Sequence, residues 1–255
     1  MQTLHHKILG ESGDYLVIVH GLFGSLDNWQ TLGKQFSNDF RVVLVDQRNH
    51  GKSPHFAVHN YEAMAADLDY LLDELNISQC HLLGHSMGGK TVMQYAVNHP
   101  ERVLKLIVGD IGPRYYAPHH QLILKTLHSI DFKLVKSRGE IEEKMYALVQ
   151  NPGIVQFLMK GIGRDDQNNF CWKFNLPVLS AQIENIGEEL KYNKPYPNEV
   201  LFIAGEKSDY ILPEDEVFIA KVFPNYQLQK VSNAGHWLHA ENPVEFYNKV
   251  IAFLN

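Results

Sequence analysis

The chain has 255 residues, of which 45% are hydrophobic and 20% are charged, and its formal net charge is −6 at pH 7. A disordered chain would be poorer in apolar residues, and a nucleic-acid or anionic-membrane partner would require a basic surface. Two cysteines, Cys80 and Cys171, are too few for a disulfide framework, and no apolar run approaches the roughly 20 residues that cross a bilayer. The opening MQTLHHKILGE lacks the apolar stretch of a signal peptide. These features predict a cytoplasmic globular protein without stable membrane insertion.

Six apolar runs, each followed by turn residues, recur along the chain. They are Tyr15–Val19, Arg41–Val45, Cys80–Gly84, Leu104–Asp110, Glu199–Gly205 and Tyr226–Val231. The runs at 16–19, 42–45 and 106–108 are unbroken, which is typical of strands buried on both faces of a parallel sheet. Helical patterns lie between runs at Tyr61–Leu75 and Thr91–Val97, and after the last run at Pro243–Leu254. The alternation predicts an α/β fold with a mostly parallel, doubly wound sheet.

The alternation breaks between about Arg114 and Tyr192. No strong strand pattern occurs there, and helical patterns cover His119–Ile130, Glu140–Gln150, Ile154–Lys160 and Leu179–Leu190. We interpret residues 114–192 as a helical cap inserted into a core made of residues 1–113 and 193–255. A second independent domain is the alternative reading of this stretch.

The stretch Gly84-His85-Ser86-Met87-Gly88 matches the nucleophile pattern G-x-S-x-G between an apolar strand and a helix. This context predicts a sharp turn that lifts the Ser86 hydroxyl above the sheet, with room only for small residues two positions to either side. The beginning of the next helix would aim its positive end and the Met87 amide at the same place.

Residues 84–91 also match the phosphate-binding pattern G-x-x-x-x-G-K-T. A nucleotide site would leave two other turns unexplained, at residues 20–25 and 232–236. A hydrolase accounts for both turns and leaves Lys90 and Thr91 as ordinary helix residues. We therefore favour the hydrolase and retain the phosphate-binding loop as the alternative.

A serine hydroxyl needs a base to remove its proton, and histidine suits that role because its pKa lies near working pH. Of the 14 histidines, His236 follows the last predicted strand and comes last in the order serine, acid, histidine. His20, His85 and His239 are expected to be packing or supporting groups. The pair His236-x-x-His239 has no carboxylate or cysteine at ligand spacing, so we expect no metal.

Two aspartates could orient His236 through its other ring nitrogen. Asp110 ends the run at 104–110, and Asp209 follows the run at 199–205. The spacing from the flanking proline selects Asp209, whereas the spacing from the flanking glycine selects the neighbouring Ser208. Spacing therefore leaves the acid undecided.

Two other turns follow strands near this cluster. The glycine-rich turn at residues 20–25 could aim the Leu22 amide at a developing oxyanion, with the Met87 amide as second donor; a plain tight turn is the alternative. Residues 46–54 carry charged side chains, but we interpret them as a structural loop that braces the site.

The segments HGLFGS, DQRNHGKSP, GHSMGGK and SNAGHWLHAENP, in this order, resemble the α/β-hydrolase superfamily. More narrowly, the chain resembles the YbfF-type esterases of bacteria and the related mitochondrial abhydrolases, over essentially its whole length. The resemblance implies a capped α/β-hydrolase fold and a cofactor-independent serine esterase. It also implies Asp110 as the acid, with Ser208 in the same hydrogen-bond cluster. Asp209 departs from the family pattern and stays the alternative acid.

The function expected from the resemblance is a carboxylesterase-type serine hydrolase, acting on esters or thioesters of small to medium acyl chains through an acyl-enzyme on Ser86. No nucleic-acid partner is expected, and the protein would be a monomer or homodimer. Alternatives on the same residues are a carbon–carbon bond hydrolase, a perhydrolase or a non-catalytic binding protein of this fold. Expected pocket walls are Phe23, Phe157, Leu158, Trp172 and Trp237.

Overall fold

The computed structural model describes residues 2–255; Met1, with which the predicted core begins, lies outside the described residues. The strands are β1 (His6–Leu9), β2 (Tyr15–Val19), β3 (Arg41–Val45), β4 (Cys80–His85), β5 (Val103–Gly109), β6 (Ile162–Arg164), β7 (Phe170–Trp172), β8 (Val200–Gly205) and β9 (Tyr226–Val231). The helices are α1 (Gln30–Phe36), α2 (Tyr61–Glu74), α3 (Met87–Asn98), α4 (Gln121–His128), α5 (Arg138–Val149), α6 (Pro152–Lys160), α7 (Leu176–Ala181), α8 (Ile183–Ile186), α9 (Glu216–Val222), α10 (Leu238–Glu241) and α11 (Pro243–Leu254). Short 3₁₀ turns lie at Leu26–Trp29, Pro100–Arg102 and Pro213–Asp215.

Seven strands form one sheet in the order β1-β3-β2-β4-β5-β8-β9. Only β1 runs antiparallel to its neighbour; the other pairs are parallel. The chain winds first from β2 outward to β3 and then returns to the other side of β2 at β4. In sheets of this kind, ligands bind at the carboxyl ends of the strands where the winding direction changes. The predicted mostly parallel α/β sheet is therefore confirmed.

The central strands are buried on both faces. In β2, Val17 and Val19 pack into one apolar cluster, together with residues of α2 and α3. Leu16 and Ile18 point to the opposite face and pack with residues of α1 and α11. The unbroken apolar run in the sequence thus reflects a strand covered by helices on each side.

Most predicted elements lie within a residue or two of the observed ones, and β2, β3, β9 and α11 match at both ends. The sequence pattern did not predict β1, an edge strand whose two central residues are exposed, because no apolar run marks it. It also missed the short helices α1, α9 and α10, which are too brief to show a clear helical period. Helix α3 is longer than predicted, because it begins at Met87 directly after Ser86.

The predicted helical insertion, residues 114–192, lies between β5 and β8. It contains helices α4–α8 and a short antiparallel pair, β6 and β7, that the sequence analysis did not expect. The helix predicted over Leu179–Leu190 is instead two short helices. The first of them begins earlier, at Leu176, because Pro177 suits the first turn of a helix.

A third apolar cluster joins the helical insertion to the core. Leu22, Phe23 and Met87 from the sheet's carboxyl edge pack with buried side chains of α4–α7. The insertion therefore covers the edge at which β2 and β4 end. Within residues 2–255, no helix combines the length and apolar character that a bilayer-spanning segment needs.

Candidate active site

Ser86 lies in a strained turn between β4 and α3. Its backbone φ is +54°, a left-handed conformation that non-glycine residues rarely adopt. A side chain at Gly84 would overlap the carbonyl oxygen of Gly88, and a side chain at Gly88 would overlap the carbonyl oxygen of Val19. The two glycines are thus required because the turn brings backbone against backbone, as the sequence pattern indicates.

The Gly88→Ala variant should lower the free energy of unfolding by about 1–3 kcal/mol or more, because backbone atoms would have to move to admit the methyl group. The measurement is unfolding by urea, monitored by circular dichroism. Gly139→Ala in α5 is the matched control, since its Cβ would meet only Ser137 Oγ at 3.8 Å, an ordinary contact. We expect that control to be as stable as the parent or slightly more stable. Equal stability of Gly88→Ala and the parent would contradict the packing argument.

The sheet brings the ends of neighbouring strands into register. Beyond β4, the amide of Ser86 donates to the carbonyl of Gly109, at 2.9 Å. Beyond β5, the amide of Asp110 donates to the carbonyl of Ile203, at 2.8 Å. These two backbone hydrogen bonds extend the pairing of the sheet beyond the ends of the strands. Ser86 and Asp110 therefore lie at the ends of adjacent strands.

Ser86, His236 and Asp110 form a continuous hydrogen-bonded chain. His236 Nδ1 lies 2.7 Å from Asp110 Oδ2, and His236 Nε2 lies 3.0 Å from Ser86 Oγ. Because the carboxylate can only accept, the ring proton sits on Nδ1 and Nε2 is free to accept the serine proton. This arrangement is the geometry of a serine nucleophile, a general base and an orienting acid.

Asp110 is fully buried, and both of its oxygens are used. Oδ1 accepts the amide of Gly205 at 3.0 Å, and Oδ2 accepts the hydroxyl of Ser208 in addition to His236. Asp209, the alternative acid, is exposed to solvent. The structure therefore places Asp110, and not Asp209, against His236, and the Ser208 hydroxyl donates to the same carboxylate oxygen of Asp110.

Two contacts on His236 were not anticipated from the sequence. The ring of Tyr210 stacks on the imidazole, with centroids 3.8 Å apart and planes 16° apart. His85 Nε2 donates to the backbone carbonyl of His236 at 2.7 Å. The sequence gives only one signal for Tyr210, its position two residues after Ser208, and that position alone does not fix the direction of the side chain.

Leu22 lines a cavity that Ser86 also lines, and Met87 directly follows Ser86 in the chain. Within residues 2–255, neither residue's backbone amide donates a hydrogen bond, whereas the next amide after Leu22, that of Phe23, is bonded to His50. Met87 is the first residue of α3, so the positive end of the helix faces Ser86. N–H groups without a hydrogen-bond partner are the kind of group that stabilises an oxyanion.

A cavity of about 230 Å³ opens beside Ser86 and His236. Among the residues predicted as pocket walls, Phe23, Phe157 and Trp237 line this cavity, together with Trp29, Ile123 and Ile154, which were not predicted. Leu158 and Trp172 do not line the cavity. Leu158 is fully buried inside the helical insertion, and Trp172 stacks on Phe174, so both belong to apolar packing around the insertion rather than to the pocket.

The cavity carries no formal charge from lysine, arginine or carboxylate side chains among the described residues that line it. Six of its lining residues are histidines, and burial keeps several of them neutral. Burial lowers the pKa of His120 to about 4 and that of His239 to about 3. Burial also holds the pKa of His85 well below its ordinary value. At pH 7 these rings are uncharged, so the cavity favours a neutral ligand.

Lys90 does not present its ammonium group to a phosphate site. The side chain is fully buried, and Nζ donates to the carbonyls of Arg114, at 2.8 Å, and of Glu188. These carbonyls belong to the two ends of the helical insertion. Lys90, the lysine of the alternative phosphate-binding pattern, therefore links α3 to the insertion through hydrogen bonds.

Comparison with known proteins agrees with the fold. A family model described as the alpha/beta hydrolase fold matches residues 14–131. Relatives that are more than 30% identical span most of the chain. The chain belongs to the α/β-hydrolase family.

Among its relatives, Esterase YbfF of Escherichia coli (strain K12) is 35% identical, over 94% of this chain and 92% of its own. The sn-1-specific diacylglycerol lipase ABHD11 of Mus musculus is 36% identical, over 94% of this chain and 80% of its own. A solved structure described as a marine microorganism esterase is 40% identical, with a TM-score of 0.96, and the match covers 98% of this chain and 99% of that one. The chain is thus similar over its length to proteins named as esterases and lipases.

Proposed function

We propose that the protein is a serine esterase that hydrolyses neutral carboxylic esters through an acyl-enzyme on Ser86. The observation that carries the proposal is the hydrogen-bonded chain from Ser86 through His236 to Asp110, at 3.0 and 2.7 Å. The similarity to proteins named as esterases supports it.

The proposed reaction has two halves. His236 Nε2 takes the Ser86 proton as Oγ attacks the ester carbonyl, while Asp110 stabilises the imidazolium that forms. The amides of Leu22 and Met87 donate to the tetrahedral oxyanion. His236 then protonates the departing alcohol, leaving an acyl group on Ser86. Water, deprotonated by the same imidazole, attacks that ester and frees the acid.

The cavity's size and charge support small to medium neutral acyl chains as the substrate class. Its volume of about 230 Å³ lies below the roughly 300–1,000 Å³ typical of pockets for drug-sized ligands. Its walls are mainly aromatic and aliphatic, with no charged partner from the described lysines, arginines, aspartates or glutamates. A carboxylate at the end of the acyl chain would lose its hydration there without gaining an ion pair.

A panel of p-nitrophenyl esters tests this proposal. We expect hydrolysis of the acetate, butyrate and octanoate esters, and a kcat/KM at least about 10-fold lower for the palmitate, whose chain exceeds the cavity. The p-nitrophenyl monoester of succinate, matched to the butyrate in length, should react about 100-fold more slowly because its free carboxylate must be desolvated. Butyryl-CoA measures whether thioesters are accepted by the same site.

Two outcomes of the panel would be decisive against the proposal. Failure to hydrolyse any of the esters would reject the esterase. Equal rates for the succinate and butyrate esters would reject the neutral substrate class while leaving the esterase in place.

A further inference from the structure

His50 lies in the loop at residues 46–54, behind the turn that carries the Leu22 amide. Its side chain is fully buried, and it is not among the residues that line the cavity. The proposed reaction makes no use of it. His50 nevertheless contacts the turn that would hold the oxyanion.

The tautomer of His50 is fixed by its surroundings. Nδ1 lies 2.9 Å from the carbonyl oxygen of Arg48, which can only accept, so Nδ1 carries the proton. Nε2 is then an acceptor, and the amide of Phe23 donates to it at 3.1 Å. Burial, together with the nearby rings of His20 and His59, holds the pKa of His50 well below its ordinary value. The ring therefore stays a neutral acceptor at working pH.

Phe23 needs such support because its backbone is strained. Its φ is +60°, in the left-handed region, which is unusual for a bulky residue. It is the third residue of a turn closed by the hydrogen bond from Gly24 N to Gly21 O, at 3.0 Å. A positive φ at that position normally calls for glycine or asparagine, and a residue held there costs of order 1–3 kcal/mol. Surrounding contacts have to keep the turn in this shape.

A second support comes from the helical insertion. The ring of Phe23 packs against Phe174, with centroids 5.1 Å apart. His50 forms an isolated antiparallel β-bridge with the same Phe174. One side of the turn is thus held through its backbone amide by His50, and the other through the Phe23 side chain.

We propose that His50 is a positioning residue for the oxyanion hole. By accepting the Phe23 amide, it fixes the peptide between Leu22 and Phe23 and so keeps the Leu22 amide aimed at the reacting carbonyl. This role rests on the proposed esterase function, because it matters only if an oxyanion forms beside Ser86. His50 acts through the turn and touches no substrate.

Two variants separate the acceptor from the packing. His50→Met fills a similar volume but offers no comparable acceptor, and His50→Gln can place an amide oxygen near the position of Nε2. We expect kcat for p-nitrophenyl butyrate to fall about 10-fold to 100-fold in His50→Met, with KM changed less than about twofold. His50→Gln should recover most of the loss. His55 is an exposed histidine directly after this loop, and His55→Gln is the matched control, which should leave both constants unchanged.

Affinity for a transition-state analogue distinguishes positioning from general loosening. A butyl trifluoromethyl ketone forms a tetrahedral adduct whose oxygen occupies the oxyanion position. Its inhibition constant should rise in His50→Met by the same factor as kcat falls, while the melting temperature of His50→Gln stays close to that of the parent. Unchanged kcat and inhibition in a folded His50→Met would overturn the proposal, and so would a loss that His50→Gln fails to recover.

A measurement on the unaltered protein covers the case in which His50→Met does not fold. Scalar coupling across the hydrogen bond, between the amide nitrogen of Phe23 and Nε2 of His50, should be visible by NMR and should persist in the ketone adduct. Its absence in the adduct would overturn the role of His50. Absence of any Ser86-dependent hydrolysis by the parent would instead reject the esterase, and the role of His50 with it.

Discussion

The Ser86→Ala variant should lose about 10⁶-fold in kcat for p-nitrophenyl butyrate, because it lacks the hydroxyl on which we propose that the acyl-enzyme forms and the other groups cannot replace it. A small residual rate should remain, since the amides beside the cavity can still stabilise an oxyanion formed by water. Stopped assays over long incubations measure that residual rate of hydrolysis.

The fold of the Ser86→Ala variant should be unaffected, since alanine occupies less space in the same turn. Ser78→Ala, at an exposed position outside the site, is the matched control and should retain the parent rate. Equal unfolding curves for the two variants would show that the loss is chemical. A Ser86→Ala protein that keeps a tenth or more of the parent activity would contradict the proposed nucleophile.

The Asp110→Asn variant should lose about 10⁴-fold in kcat. The asparagine amide group can donate to His236 Nδ1, which moves the ring proton to Nε2. With its proton on Nε2, the imidazole can no longer accept the proton of Ser86. The fold should survive, because the side-chain oxygen of asparagine can still accept the amide of Gly205 that now bonds Oδ1.

Asp209→Asn is the matched control for the acid, since Asp209 is exposed and adjacent in sequence to Ser208. We expect its kcat to stay within about twofold of the parent. Steady-state kinetics of both variants with p-nitrophenyl butyrate make the comparison. A larger loss in Asp209→Asn than in Asp110→Asn would assign the acid to Asp209.

The sheet and the sharp turn could be predicted from the sequence because each requires a local pattern of residues. Strands buried on both faces need unbroken apolar runs, as at Leu16–Val19, and a turn in which backbones touch needs Gly84 and Gly88. The edge strand β1 has no such run, because its two central residues are exposed.

The acid could not be chosen from spacing. Asp110 and Asp209 both follow apolar strands, and only the fold decides which side chain turns toward His236. Asp110 adopts a φ of +50° at the end of β5, next to the strand that carries Ser86, and is buried against His236. Asp209 follows β8, which lies one strand further than β5 from the strand that carries Ser86, and its side chain is exposed to solvent.

The pocket walls were predictable only in part, because the inward face of a helix depends on how the insertion packs. Phe157 and Leu158 are neighbours in α6, and both are apolar. Phe157 lines the cavity against Trp237, with ring centroids 5.1 Å apart, whereas Leu158 points into the insertion. A helical period alone cannot say which of two adjacent apolar residues faces the ligand.

Covalent labelling tests the central claim most directly. The protein is inactivated with an alkyl fluorophosphonate, digested, and sequenced by tandem mass spectrometry. The account predicts one phosphonyl group per chain, on Ser86, with a rate of labelling that falls sharply in Asp110→Asn. Attachment to any other residue of a fully inactivated protein, or persistent ester hydrolysis after complete labelling of Ser86, would contradict it.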